Sequence, residues 1–151
     1  MTPRIKSTRP AIYLAGPWFT AGEPERLAKI EQLMNELGLT YYSPRLDGID
    51  LTPDATEADR NAVFADNVAH LKQAQLVVAV IDDFDTGTIW ETGTAFGLDI
   101  PVAYYAETLA DGTFNVMLAK SGKATIQNMA DLKAFLRDPS SDAFQYTGAI
   151  R

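Results

Sequence analysis

The sequence predicts a single-domain α/β fold, in which helices flank a mostly parallel five-stranded sheet in a flavodoxin-like or Rossmann-like arrangement. Short apolar runs rich in β-branched and aromatic residues alternate with longer segments whose apolar residues recur every three or four positions. Such alternation is typical of βαβ units and therefore of a parallel sheet. At 151 residues, the chain is long enough for one domain with a sizeable core.

The first half of the chain supplies two strands and two helices. Residues 11–15 are predicted to form a buried strand, and apolar residues at helical spacing predict a helix over 23–37. Residues 40–42 form a short predicted strand, and the turn-rich segment 45–55 is expected to be a long loop. Helical spacing resumes over 56–73, where a Thr-x-x-Asp pattern favours a helix start.

The second half repeats this alternation. The apolar run 76–81 predicts another buried strand, followed by an acidic, glycine-containing loop and a helix over 88–98. Residues 101–105 are expected to form the next strand, and residues 130–136 a late helix. The tail, 144–151, is apolar for a chain end. Two placements are open for it, docking on its own subunit or on a neighbour.

Composition excludes several classes of protein. The formal net charge of −7 argues against a nucleic-acid surface, which needs a basic footprint. With no cysteine and a single histidine, His70, thiolate and poly-histidine metal sites are excluded, and carboxylates become the expected proton-transfer groups. There is neither a membrane-length apolar stretch nor the apolar core of a signal peptide. We therefore expect a cytoplasmic enzyme or binding protein without a membrane partner, in which residues 1–10 are a loose lead-in to one domain over 11–151.

Two carboxylates, Asp85 and Glu91, lie where the strand over 76–81 runs into the following helix. This is the C-terminal edge of the predicted sheet, where open α/β folds bind ligands. Thr88 and Glu91 match a capping box, in which the glutamate only bonds back to the start of the helix. Alternatively, an ionised Glu91 would act as a nucleophile while an acid of the 82–85 turn holds a proton for a leaving group. Both interpretations are open, and a carboxylate pair here suggests chemistry at a glycosidic carbon.

Two further features accompany the carboxylate pair. The chain leaves the first strand through Gly16 and then presents the adjacent aromatic residues Trp18 and Phe19. These are either core residues or a stacking wall for a planar heterocycle such as a nucleobase. Asp66 and Asn67 form a pair of poor helix formers inside a predicted helix. Asp66 therefore lies either on an exposed helix face or at the sheet edge, where it would bind sugar hydroxyls.

Taken together, four blocks of sequence resemble the nucleoside 2-deoxyribosyltransferases. They are Ile-Tyr-Leu-Ala-Gly-Pro-Trp-Phe-Thr at 12–20, Ala-Asp-Asn at 65–67, Asp-x-Gly-x-x-x-Glu-x-Gly at 85–93 and Phe-Asn-Val-Met at 114–117. The blocks occur in the family's order, at suitable intervals, and span nearly the whole chain from residue 11. Each block is weak alone, but the ordered set is fairly specific.

The resemblance implies the roles of three catalytic residues. Glu91 would attack C1′ of a 2′-deoxynucleoside and form a covalent deoxyribosyl-enzyme, as in retaining glycosidases. A second base would then take the sugar, which gives ping-pong exchange with net retention. Asp85 matches the acid that faces the nucleobase and protonates or hydrogen-bonds the leaving nitrogen. Tyr13 matches the tyrosine that hydrogen-bonds the nucleophile.

The resemblance also implies a set of substrate-binding residues. Asp66 matches the residue that grips the sugar hydroxyls, and Trp18 with Phe19 lines the base site next to Gly16. Asn115 matches an asparagine that completes a neighbouring subunit's pocket. A homo-oligomer, a hexamer or a dimer, with a shared active site is therefore expected. The implied partners are 2′-deoxynucleosides and free purine or pyrimidine bases, and neither a cofactor nor a metal is implied.

The chain departs from the family pattern at two places. Some members end in a tyrosine whose carboxylate and hydroxyl reach the active site, whereas this chain ends in Arg151, with Tyr146 nearby. The loop after the second strand lacks a glutamine that some members use against the base, and Gly48 stands near that place. The preferred base is therefore open. Two rival functions also remain, a nucleoside or 2′-deoxynucleotide N-glycosidase on the same scaffold and a non-catalytic nucleoside-binding domain.

Overall fold

A computed structural model describes residues 11–151, apart from the side chains of residues 110 and 111. The predicted lead-in, 1–10, lies outside the described residues. The described chain forms one sheet of five parallel strands in the order β2-β1-β3-β4-β5. This confirms the predicted α/β class. The strands are β1 (Ile12–Ala15), β2 (Tyr41–Tyr42), β3 (Leu76–Val80), β4 (Val102–Tyr105) and β5 (Ala124–Ile126).

Six α-helices are described, and together they cover both faces of the sheet. They are α1 (Glu23–Glu36), α2 (Pro44–Asp47), α3 (Glu57–Gln73), α4 (Thr86–Gly97), α5 (Val116–Ser121) and α6 (Met129–Arg137). The chain steps from β1 outward to β2 and then returns to place β3 on the other side of β1. Open α/β sheets bind ligands outside the carboxyl ends of the strands at such a reversal. The topology therefore points to the ends of β1 and β3.

Successive side chains of a strand point to opposite faces of the sheet, which divides the core into two layers. Ile12 and Leu14 of β1 pack with α1 and α6 on one face, whereas Tyr13 and Ala15 pack with α3, α4 and α5 on the other. On the short strand β2, Tyr41 belongs to the first layer and Tyr42 packs against the second. Because Tyr13 and Tyr42 are register partners on neighbouring strands, their side chains share one face of the sheet.

Apart from one-residue differences in boundaries, the structure differs from the prediction at four of these elements. Part of the loop predicted over 45–55 is the short helix α2, which a 2.5 Å ion pair between Arg45 and Glu31 ties to α1. Neither β5 nor α5 was predicted, because three and six residues are too few to show a periodic pattern. Helix α4 begins at Thr86, two residues before its predicted start.

The tail, 144–151, docks on its own subunit. The N–H of Thr125 donates to the carbonyl of Phe144 over 2.7 Å, and a parallel bridge joins Phe114 to Ile150. The ring of Tyr146 packs edge-on against Phe114, with centroids 5.3 Å apart. Of the two placements left open by the sequence, docking on its own subunit is therefore the one observed. The apolar residues of the tail cover the segment that leads into α5.

Candidate active site

The start of helix α4 determines where Glu91 lies. Asp85 is the N-cap, and its Oδ2 accepts hydrogen bonds from the N–H and the hydroxyl of Thr88, over 2.9 and 3.0 Å. Of the two open interpretations of Glu91, the capping box with Thr88 is therefore not formed. Both Asp85 and Thr88 are good N-cap residues, and the helix begins at the earlier one. Glu91 consequently falls in the second turn of α4, where its side chain is mostly buried.

Tyr13 and Glu91 form a buried pair between β1 and α4. The Tyr13 hydroxyl donates a hydrogen bond to Glu91 Oε2. The pKa of Glu91 is raised from 4.5 to about 7, mainly because the side chain is buried; the Tyr13 hydrogen bond lowers the pKa, and the negative charge of Asp85 raises it. Burial and the charge of Glu91 also raise the pKa of Tyr13 well above its ordinary value, so the phenol remains protonated and can donate. Tyr13 and Glu91, which the family resemblance associates with each other, are therefore in contact.

A mostly apolar cavity of about 350 Å³ opens beside Glu91. At its mouth the rings of Phe64 and Trp90 lie 5.6 Å apart and are each at least half exposed. The remaining lining residues come from α3 and from the first turn of α4. They are Asn67, Val68, Leu71 and Gly87. The cavity therefore gives a small, partly apolar molecule access to a carboxylate with a raised pKa, which is typical of a functional site.

Asp66 is joined to this pair through a second tyrosine that the sequence reasoning missed. The hydroxyl of Tyr42 donates to Asp66 Oδ2 over 3.0 Å and lies 3.2 Å from Asn67 Oδ1. The ring centroids of Tyr42 and Tyr13 are 5.6 Å apart. Asp66 therefore lies at the sheet edge on the side of Glu91, which agrees with the second of its two open interpretations. No local pattern marks Tyr42, because its contacts reach 24 residues along the chain.

Comparisons with known proteins decide the family. The family model described as nucleoside 2-deoxyribosyltransferase matches residues 12–129. The chain belongs to the nucleoside 2-deoxyribosyltransferase family. It is thereby a glycosyl-transferring enzyme, as the sequence predicted. No curated protein matches the chain.

The solved structures that resemble this chain include the following two. A 2-deoxyribosyltransferase from Bacillus psychrosaccharolyticus is 30% identical, with a TM-score of 0.74 over 83% of this chain and 95% of that one. A conserved protein from Enterococcus faecalis V583 is 20% identical, with a TM-score of 0.57 over 95% of this chain and 82% of that one. The second likeness shows the fold alone.

In the present deoxyribosyltransferase chain, the loop after β1 lies at the same edge of the sheet as Glu91, but its residues do not line the Glu91 cavity. Trp18 is half-buried against the core, and its ring centroid is 4.8 Å from that of Phe19, which is 70% exposed. The loop is held by Glu23, which accepts hydrogen bonds from the N–H groups of Phe19 and Thr20, over 3.1 and 2.8 Å. Gly16 fits a tight packing position, because a Cβ there would meet the side chain of a core leucine at 2.9 Å.

The other acids of the 82–85 turn engage the protein. Asp82 is buried, and its Oδ1 accepts from the N–H and hydroxyl of Thr108, over 3.0 and 3.1 Å. Its Oδ2 faces Arg26 Nε at 3.6 Å. A hydrogen bond with Glu23, together with partial burial, raises the pKa of Asp83. Asp83 is therefore hydrogen-bonded to the first residue of α1.

Asn115 caps α5 rather than lining the Glu91 cavity of its own chain. Its Oδ1 accepts from the N–H groups of Met117 and Leu118, over 2.9 and 3.4 Å. Met117 is 74% exposed and stands beside a second, apolar cavity of about 370 Å³ between α4 and α5. The segment around Asn115 therefore presents apolar side chains outward.

Neither a metal-binding cluster nor a membrane-spanning helix is found among residues 11–151. That part of the chain contains no cluster of three or more histidine, cysteine, aspartate or glutamate side chains able to hold a metal ion. Within the same residues, every helix is too short or too polar to cross a membrane.

Proposed function

We propose that this enzyme moves the 2-deoxyribosyl group between nucleobases through a covalent intermediate on Glu91, in nucleoside salvage. The observation that carries the proposal is the buried Tyr13–Glu91 pair beside a cavity at the end of β1. A nucleophilic carboxylate must be ionised and poorly solvated at the moment of attack. A pKa of about 7 leaves a large ionised fraction at neutral pH, and burial removes the water that would otherwise shield the oxygen.

The first half-reaction breaks the glycosidic bond. Because Tyr13 holds Glu91 Oε2, the oxygen that attacks C1′ is Oε1. A C–O bond forms to the enzyme as the C1′–N bond breaks, and its electron pair goes to the base nitrogen. Asp85 in its carboxylic acid form would supply the proton to that nitrogen, and the carboxylate left behind would accept a hydrogen bond from the free base. The products are a free base and an ester between deoxyribose and Glu91.

The second half-reaction reverses the first with a new base. The incoming nitrogen attacks C1′ on the vacated face, its proton passes to the group that served the leaving base, and Glu91 is released as the carboxylate. Two displacements at one carbon give net retention. Asp66 would bind the sugar hydroxyls, while Trp18 and the exposed ring of Phe19 would stack against the base.

We also propose that the enzyme is a homo-oligomer whose subunits share active sites. Large apolar side chains stand exposed on α3, α4 and α5, around the mouth of the Glu91 cavity and around Asn115. They are Phe64, Trp90, Phe96, Val116 and Met117. A second copy that covered this face would bury apolar surface and would bring its Asn115 segment near a neighbouring cavity. Either a dimer or a hexamer satisfies this arrangement.

One incubation tests transfer against the two rival functions. The enzyme is mixed with deoxyinosine and increasing adenine, and the products are separated by chromatography. Transfer predicts deoxyadenosine that increases with adenine. Free deoxyribose as the sole sugar product would instead establish an N-glycosidase, in which water takes the place of the second base. If neither product forms, the result would favour the non-catalytic nucleoside-binding domain.

The covalent step is tested by intact-mass spectrometry after acid quenching. Deoxyinosine alone should add one deoxyribosyl group to the wild-type chain and none to Glu91→Ala. The matched control is Glu107→Gln, because Glu107 also accepts a hydrogen bond from a tyrosine, Tyr105, over 2.5 Å, but on the other face of the sheet. That variant should still form the adduct. An adduct on Glu91→Ala would assign the nucleophile to another residue.

A further inference from the structure

Tyr42 occupies the position between the proposed sugar-binding carboxylate and the nucleophile. Its ring lies beside Tyr13, whose hydroxyl holds Glu91, and its own hydroxyl holds Asp66. The register of β2 against β1 fixes the spacing of the two tyrosines, since they are direct partners on neighbouring parallel strands. A continuous set of contacts thus runs from Asp66 to Glu91.

The phenol proton of Tyr42 has two acceptors within reach but can serve only one of them fully. Asp66 Oδ2, at 3.0 Å, is charged and is therefore the stronger acceptor. Asn67, at 3.2 Å, can instead turn its amide and donate an N–H to the phenol oxygen. In that arrangement Tyr42 accepts from Asn67 and donates to Asp66. The phenol is then held at both its oxygen and its proton.

His70 holds the same tyrosine from α3. Its ring stacks on that of Tyr42, with centroids 3.7 Å apart and an angle of 8° between the planes. Its Nδ1 lies 2.8 Å from the carbonyl oxygen of Asp66, one helical turn earlier, to which it can donate. These contacts leave the Tyr42 ring little freedom. A fixed phenol then fixes Asp66 Oδ2, while Oδ1, which lies 3.4 Å from His70 Nδ1, keeps a lone pair with which it can accept from a ligand hydroxyl.

We propose that Tyr42 is a positioning residue, which orients the Asp66 carboxylate toward a sugar hydroxyl and sets its distance from the Tyr13–Glu91 pair. The inference rests on the proposed function, because it takes a deoxynucleoside as the ligand of Asp66. Tyr42 acts through Asp66 and does not itself touch the reacting atoms. Its hydroxyl therefore affects recognition of one sugar hydroxyl more than the breaking of the glycosidic bond.

The experiment compares wild-type enzyme with Tyr42→Phe, which keeps the ring and its stacking but removes the phenol group. We expect the KM for deoxyinosine to rise about tenfold, as for a lost hydrogen bond to a charged group, while kcat changes by less than about threefold. The decisive measurement is kcat/KM for deoxyinosine relative to analogues that lack the 3′- or the 5′-hydroxyl. Asp66→Asn identifies which hydroxyl Asp66 binds. Tyr42→Phe should reduce the preference for that same hydroxyl, again about tenfold.

Two further variants separate positioning from folding. Tyr41→Phe is the matched control, because Tyr41 is the adjacent residue and donates its hydroxyl to Asn35 over 3.0 Å on the opposite face of the sheet. It should keep the wild-type preference between the analogues. In the double variant Tyr42→Phe with Asp66→Asn, the tyrosine change should have no further effect on that preference, because both changes act on one hydrogen bond.

The outcomes distinguish this inference from the function on which it rests. Equal losses on all the analogues in Tyr42→Phe, or an additive effect in the double variant, would overturn the positioning role and leave the transferase intact. A wild-type enzyme that processes no deoxynucleoside would overturn both. A selective loss for the hydroxyl bound by Asp66, absent from Tyr41→Phe, would establish the role.

Discussion

The burial of Glu91 predicts that the protein becomes less stable as the pH rises through neutrality. The perturbation that isolates this effect is Glu91→Gln, which keeps the shape of the side chain and removes its charge. In the folded state burial raises the pKa of Glu91 to about 7, against 4.5 ordinarily. The folded protein therefore binds the proton of Glu91 more tightly than the unfolded chain does. Between these two values the folded state carries more protons, so stability falls with rising pH.

The size of the effect follows from the two pKa values. Below about 4.5 the carboxyl is protonated in both states and costs nothing. Above about 7 it is ionised in both, and the rise in pKa corresponds to about 3 kcal/mol of lost stability. Between pH 5 and pH 8 the expected loss is about 2 kcal/mol. Glu91→Gln should not show this loss, so its free energy of unfolding relative to wild type should increase by about 2 kcal/mol between pH 5 and pH 8.

Urea unfolding at pH 5 and pH 8, followed by circular dichroism at one fixed protein concentration, measures the difference. Comparing each variant with wild type at the same pH cancels the contributions of the other titrating groups. Glu107→Gln serves as the control, because its carboxylate is exposed. It should show no such gain. A Glu91→Gln variant whose stability relative to wild type is the same at both pH values would refute the reasoning, since Glu91 would then ionise as freely in the folded protein as in the unfolded chain.

Three further predictions concern single positions. Tyr13→Phe removes a hydrogen bond that lowers the pKa of Glu91, so the acidic limb of the kcat/KM profile should move up from about 7 by about one pH unit, and an unmoved limb would exclude that bond. Gly16→Ala should lower the free energy of unfolding, measured by thermal unfolding, by about 1–3 kcal/mol, because the added Cβ would overpack the core. The control is Gly97→Ala in α4, whose added Cβ meets nothing within 4 Å and which should be neutral or stabilising in the same measurement. Asp85→Ala should cost about 1 kcal/mol as a lost N-cap and should also slow exchange, and a change in stability with normal kinetics would reduce Asp85 to a cap.

The strands were predictable because they are buried on both faces and therefore appear as apolar runs. Residues 76–81 and 101–105 correspond to β3 and β4, with boundaries that differ by one residue. The same reasoning fails for β5, whose Ala-Thr-Ile sequence is too short to have a period. It also fails for α2, which an ion pair between Arg45 and Glu31 joins to another helix. Long-range partners are not visible in a local pattern.

The position of Glu91 shows how a shift in the helix start changes the interpretation of a catalytic candidate. The segment 85–88 contains two good N-cap residues three positions apart, and local propensity does not choose between them. With Thr88 as the cap, Glu91 would be its exposed partner in the first turn. With Asp85 as the cap, the helix turns Glu91 inward against Tyr13.

An ionised, inward-facing Glu91 lowers the stability of the fold, and the size of that loss bears on its role. About 3 kcal/mol is a substantial part of the stability of a domain of this size, which is typically about 5–15 kcal/mol. Glutamine or a small apolar residue would avoid the cost, since neither carries a charge. Tyr13 recovers part of it through one hydrogen bond, but burial still dominates the pKa of Glu91. That such a carboxylate stabilises neither the helix end nor the core, and adjoins a cavity, supports the proposal that Glu91 is the nucleophile.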